Sequence, residues 1–175
     1  AVQASLATTA TASAVATLQA EIDAIEADVD ELLATSNVYN QNLTISSAST
    51  LDAAVALGGN INIVNGSVTI TQSSTMDATK LQTVIDKIFT VTGNFSYTAA
   101  NTNVTAMTFN KLASAGDVTL KVNGPISASA LVTAGTLTLD DSYISKVTSI
   151  NLDALATVTE IQTDSGGTDN NVFTS

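Results

Sequence analysis

A short phrase recurs along this chain: Val64-Asn65-Gly66-Ser67-Val68-Thr69-Ile70, Val91-Thr92-Gly93-Asn94-Phe95-Ser96-Tyr97, Ala115-Gly116-Asp117-Val118-Thr119-Leu120, Val122-Asn123-Gly124-Pro125-Ile126-Ser127 and Ala134-Gly135-Thr136-Leu137-Thr138-Leu139. After each glycine, apolar and hydroxyl-bearing residues alternate with the period of two that sends every second side chain to one face of a strand. The glycine suits a sharp corner, because it tolerates positive φ. A repeat of this kind calls for stacked strand-and-corner units, which constrains architecture before chemistry.

Strand-like runs begin at Leu43, Val68, Phe95, Val118, Leu137 and Val158, at spacings from 19 to 27 residues. A second apolar series near Ile61, Ile88, 106–109 and Ile126 supplies another wall. Between the walls, 76–84 and 150–155 have apolar spacings that suit short helical turns or inward-pointing arcs. The fold class expected is mainly β: a parallel β-solenoid with irregular 19–27 residue coils, preceded by one long N-terminal amphipathic α-helix. The alternative is an antiparallel β-sandwich of hairpins, since Asn65-Gly66 between Ile61–Val64 and Val68–Ile70 is a strong tight-turn signal. The weaker pairs Thr92-Gly93 and Ala134-Gly135, and Pro125 directly after Gly124, favour the first reading.

The helix is expected from about 13 to 34. No Gly or Pro occurs there, and Val15, Leu18, Ile22, Ile25, Val29 and Leu32 recur at spacings of three and four, a coiled-coil-like seam. With Val15, Ile22 and Val29 at heptad position a, Glu21 and Asp28 fall at g and Glu26 at e. Self-pairing of two such helices sets acid against acid. Six acids and no base lie between Glu21 and Glu31, and all five Lys lie from Lys80 onward. The helix therefore docks on something less acidic than itself, either the body of its own chain or a neighbouring subunit. The expected organisation is a helix over 1–36, the strand-rich body over 37–163 and a flexible tail over 164–175.

Composition excludes much chemistry. With no Cys, His, Arg or Trp among 175 residues, there is no His-paired triad, no thiolate nucleophile and no ordinary zinc or haem site. A Lys, Asp or Glu mechanism is still chemically open, but an enzyme reading ranks below the structural and binding ones, and no cofactor and no enzymatic activity are expected. A formal charge of −11 disfavours nucleic acid. No stretch is long and apolar enough to span a membrane. Ala1 in place of Met reads as a processed chain, which fits an exported protein.

The run from Leu81 to Tyr97 is similar to the leucine, leucine, valine-x-glycine-x-leucine-x-isoleucine phrase of receptor L-domain-like and leucine-rich β-solenoid bacterial surface proteins. The N-terminal helix followed by Asn42-Leu43-Thr44-Ile45 resembles the helical stalks that precede such domains. This resemblance covers roughly 40–165, implies an adhesive or structural role at the cell surface, and carries over no catalytic or binding residue.

Candidate sites are few. Asp164, Asp169 and Asn170 sit in an oxygen-rich stretch that could hold calcium, although no bidentate Glu follows, and a linker-like tail is the better reading. Asp140 and Asp141 lie at a strand end. Lys80, Lys87 and Lys121 are candidates for a spontaneous crosslink to Asp or Asn, with solvated lysine the plain alternative. Thr69 and Thr71, and Thr136 and Thr138, form outward hydroxyl pairs of the kind found on ice- or sugar-binding arrays, or simply good strand residues. Four glycosylation sequons occur at Asn42, Asn65, Asn94 and Asn103. Phe89, Phe95, Tyr97, Phe109 and Tyr143 are assigned to the core. The function expected is an extracellular structural protein, a self-assembling subunit of a surface filament or layer that joins through Val15, Leu18, Ile22, Ile25, Val29 and Leu32 and through its ends. The alternative is a monomeric surface adhesin or binding module for a glycan or protein.

Overall fold

The alternating runs become strands that stack in the order in which the chain makes them. The computed structural model describes residues 11–26, 37–100, 104–141 and 149–164, the side chains of Asp141 and Asp164 excepted. Along the chain come helix α1 (11–26), strands β1 (Val38–Tyr39) and β2 (Leu43–Ile45), helix α2 (Ala48–Ala56), strands β3 (Ile63–Val64) and β4 (Val68–Gln72), and helix α3 (Ala78–Ile85). Strands β5 (Thr90–Val91), β6 (Phe95–Ala99), β7 (Val118–Val122), β8 (Ile126–Ser127), β9 (Thr133–Asp141), β10 (Ile150–Asn151) and β11 (Thr157–Asp164) follow. Two units are distinguished, Ala1–Asn37 and Val38–Ser175.

In the second unit a six-stranded sheet runs β11-β9-β7-β6-β4-β2. Every pairing is parallel, with Leu43, Val68, Phe95, Val118, Leu137 and Ile161 in one register row. This removes the antiparallel sandwich. Val64 and Val68, the arms of the supposed Asn-Gly hairpin, pair with different strands, Tyr39 and Val91 for the first and Leu43 and Phe95 for the second.

The mainly β solenoid is corrected as well. The second wall is a three-stranded sheet, β1-β3-β5, prolonged only by single bridges from Thr90 to Ser114 and on to Thr133, and a separate pair, β10-β8. Coils are not closed by continuous walls. Helices α2 and α3 fill the connections after β2 and β4, so the fold is α/β, built on one parallel sheet. Their caps explain them. The Ser47 hydroxyl accepts from the Thr50 amide while the Thr50 hydroxyl accepts from the Ser47 amide, and the Asp77 carboxylate accepts from the Lys80 amide. Leu81, Val84 and Ile85 then bury one face of α3 at helical spacing. The N-terminal helix is corrected in length: it is described over 11–26, 16 residues, and 27–36 lie outside the described residues.

The core lies behind the large sheet. Leu43, Val68, Phe95, Val118 and Leu137 form one buried row, and Ile45, Ile70, Tyr97, Leu120 and Leu139 the next. Phe109 meets Phe95 and Tyr97 edge to face at 5.7 and 5.0 Å. Phe89, assigned to the core from sequence, is 39% exposed, because its neighbours Ile88 and Val91 take the interior positions. Tyr143 lies outside the described residues.

Candidate assembly surfaces

Two ladders hold successive strands at close spacing. Gly93 donates its amide to the Gly66 carbonyl, Gly116 to Gly93 and Gly135 to Gly116, at 2.9, 2.7 and 2.6 Å. A Cβ at Gly66, Gly93 or Gly116 would stand 2.8 Å from the carbonyl oxygen of the coil before. None of these glycines has positive φ. Among the described residues only Gly58 and Gly124 do. The repeated glycine thus serves close approach and not the corner conformation assumed from sequence. The 122–127 phrase is a different feature, for Ile126 enters β8 and not the large sheet.

The residue after each glycine forms the second ladder, which sequence reasoning missed. Asn42 Oδ1 accepts from the Ser67 amide, Ser67 Oγ from Asn94, Asn94 Oδ1 from Asp117, and Asp117 Oδ1 from Thr136, at 2.8 to 3.1 Å. Its sequence signal is one small acceptor at one fixed place in the phrase. The sequon residues Asn42 and Asn94 belong to this ladder. Asn65 donates to Asn40 and accepts from Thr92 in a parallel one, while Asn103 lies outside the described residues.

Outward from the large sheet, Thr44, Thr69, Ser96, Thr119 and Thr138 share one row of hydroxyls. Thr71 and Thr98 begin the next row, which Lys121 and Asp140 continue as an ion pair at 3.0 Å. Lys80 pairs with Asp52 at 3.0 Å, and the hydrogen bond and charge of that carboxylate raise its pKa. Lys87 is half-buried at the turn after α3.

Of the seam residues, Val15, Leu18, Ile22 and Ile25 are 47–64% exposed on α1, and Val29 and Leu32 lie outside the described residues. Of the calcium candidates, Asp164 ends β11, and Asp169 and Asn170 lie outside the described residues. Among the described residues no group of three or more acids could hold a metal ion, and no helix is long and apolar enough to cross a membrane.

Two further apolar surfaces stand open. At the last strand Ile161 is 52% exposed, in the register row where the five preceding residues are buried. On the second wall the backbone stacks Phe89, Ala113, Val132 and Ala156 in turn, each amide donating to the carbonyl before it. Phe89 and Val132 are exposed there, and Ile63 and Val38 lie on the neighbouring strands. Compared with family models, with curated proteins and with solved structures, the chain finds no match.

Proposed function

We propose that this protein is a non-enzymatic, extracellular structural subunit that self-assembles at a cell surface through its N-terminal helix. One observation carries the reading: α1 presents Val15, Leu18, Ile22 and Ile25 on one stripe, and all four are exposed. An amphipathic helix of this length is marginal in water and draws its stability from burying that stripe. The ladders support the same reading, since they lock successive parallel strands into one sheet over a continuous apolar core, the build of a structural element. The exported location rests on composition, an acidic and hydroxyl-rich chain.

Sedimentation velocity and negative-stain electron microscopy of the whole chain, beside the Leu18→Glu/Ile22→Glu variant, test it. Regular assemblies in the first and monomers in the second are expected. Monomers in both samples at the highest attainable concentration overturn the proposal. A second reading is favoured by the row of hydroxyls from Thr44 to Thr138, a regular array of donors and acceptors for a glycan or protein ligand. Monomers that bind a polysaccharide, and lose binding when Thr69 and Thr119 become Val, would establish that reading instead.

A further inference from the structure

We infer that α1 of one copy lies across the stacked apolar stripe of a second copy, with Phe89 and Val132 as its principal anchors. The inference rests on the reading that the chain self-assembles and names the surface that the helix takes.

Charge points to this pairing. The apolar seam of α1 is flanked by Glu21 and Glu26, and no base occurs in the helix. Two of these helices repel each other across a shared seam. On the body, Lys87 and Lys111 stand two residues before Phe89 and Ala113, which stack on each other with the Ala113 amide donating to the Phe89 carbonyl at 2.7 Å. The two lysines thus hold the same sequence offset from successive positions of the stripe.

Dimensions agree. The stacked positions Asn62, Phe89, Ala113, Val132 and Ala156 cover four strand spacings, roughly 19 Å. The 16 described residues of α1 run about 24 Å, enough to cross them all. Seven residues of helix advance about 10.5 Å, and two strand spacings about 9.6 Å. Val15 and Ile22 thus match the separation of Phe89 and Val132, with the small Ala113 between the two anchors leaving room for the helix.

A charge exchange tests both the surface and its intermolecular character. One variant carries Lys87→Glu and Lys111→Glu, the other Glu21→Lys and Glu26→Lys. Each alone places like charges at the joint and is expected to self-associate roughly tenfold more weakly than the unaltered chain. Mixed in equal amounts, the basic helix of one meets the acidic stripe of the other, and association returns. Phe89→Ser, at an exposed position, is expected to weaken association without changing the circular dichroism. If the unaltered chain assembles and these variants match it, the stripe is wrong while self-assembly stands. Variants that are weakened alone but not restored on mixing overturn docking between copies. An unaltered chain that stays monomeric ends both proposals.

Discussion

Gly93 lies directly over Gly66: its amide donates to the Gly66 carbonyl at 2.9 Å, and a Cβ at residue 93 would stand 2.8 Å from that same oxygen. The glycine and the hydrogen bond are one device, because the bond draws the backbones to a spacing that leaves no room for a side chain. Ser67 Oγ would stand nearer still, at 2.5 Å, but the Gly66 carbonyl is backbone and cannot rotate away. Gly93→Ala is expected to cost about 1–3 kcal/mol, as overpacking against fixed atoms does. Gln41, which stands in the glycine's place on the first coil with its carbonyl against Gly66, is exposed, so Gln41→Ala should stay within about 0.5 kcal/mol of the unaltered chain. Urea titration of the two variants checks the contrast, and equal midpoints would remove the account of the ladder.

The residue after the glycine requires an acceptor more than any particular side chain. Asn94 Oδ1 takes the Asp117 amide at 3.0 Å, and Asn, Ser and Asp serve interchangeably at this place on successive coils. Asn94→Ala should cost about 0.5–1.5 kcal/mol, the net worth of one hydrogen bond, and Asn94→Asp should retain most of it. Loss of the same stability in both variants would show that the amide nitrogen of Asn94, and not its oxygen, matters.

What the sequence made legible follows from these two places. The starts of β2, β4, β6 and β7 at Leu43, Val68, Phe95 and Val118 could be read because a half-buried strand writes its alternation plainly. Helix α2 could not, since its cap residues, Ser47 and Thr50, are of the same hydroxyl type that fills the strands around them. The phrase at 122–127 misled for a related reason. Gly124 sits at φ +119 with open space where a Cβ would go, a true corner glycine, whereas Gly66 and its equivalents are crowded. One letter stands for two physical requirements, and only the backbone separates them. Phe89 was misplaced because an aromatic in an aromatic-poor chain reads as core, yet Ile88 and Val91 had already filled the interior. Of the candidate assembly surfaces, the spacing of Val15, Leu18, Ile22 and Ile25 was legible, but the exposed stripe of Phe89 and Val132 was not, since its residues come from stretches far apart in the chain.

The buried polar pair of the core should register in a pH titration. Tyr97 donates its phenol hydrogen to Gln72 Oε1, and both residues are 1% exposed. Tyr97→Phe leaves that oxygen without its donor and should cost about 1–3 kcal/mol at neutral pH. Burial raises the Tyr97 pKa above the ordinary value. Up to about pH 10 the phenol is protonated in both states; above it the unfolded chain releases the proton first. The folded state then binds more protons, so stability falls as pH rises, by up to about 1.4 kcal/mol per unit. The raised pKa of Lys80 acts in the same direction, but it is common to both proteins. The difference between the unaltered chain and Tyr97→Phe, from urea midpoints at pH 7 and pH 11, isolates the phenol: the gap should narrow, and a constant gap would place the ionisation elsewhere.

Between β6 and β7, residues 104–112 form neither helix nor strand, and one side chain does what a ladder does elsewhere. Gln82 of α3 donates its amide nitrogen to the Thr108 carbonyl and accepts the Thr108 amide on its oxygen, both at 2.9 Å. The flanking Met107 and Phe109 are buried and pin the segment from inside. Removing the amide should therefore loosen the segment locally while the core stays in place, because local opening and global unfolding are separate equilibria. In Gln82→Ala the Thr108 amide is expected to exchange with solvent roughly tenfold faster, the consequence of losing about 1.4 kcal/mol of local protection, with little change in the global midpoint. Gln82→Glu keeps an acceptor but turns a carboxylate oxygen toward Asp86 and the Thr108 carbonyl, both of which the nitrogen now donates to, so the Thr108 amide should exchange faster there too. Hydrogen exchange resolved at Thr108 decides it, and unchanged protection in Gln82→Ala would assign the order of the segment to Met107 and Phe109 alone.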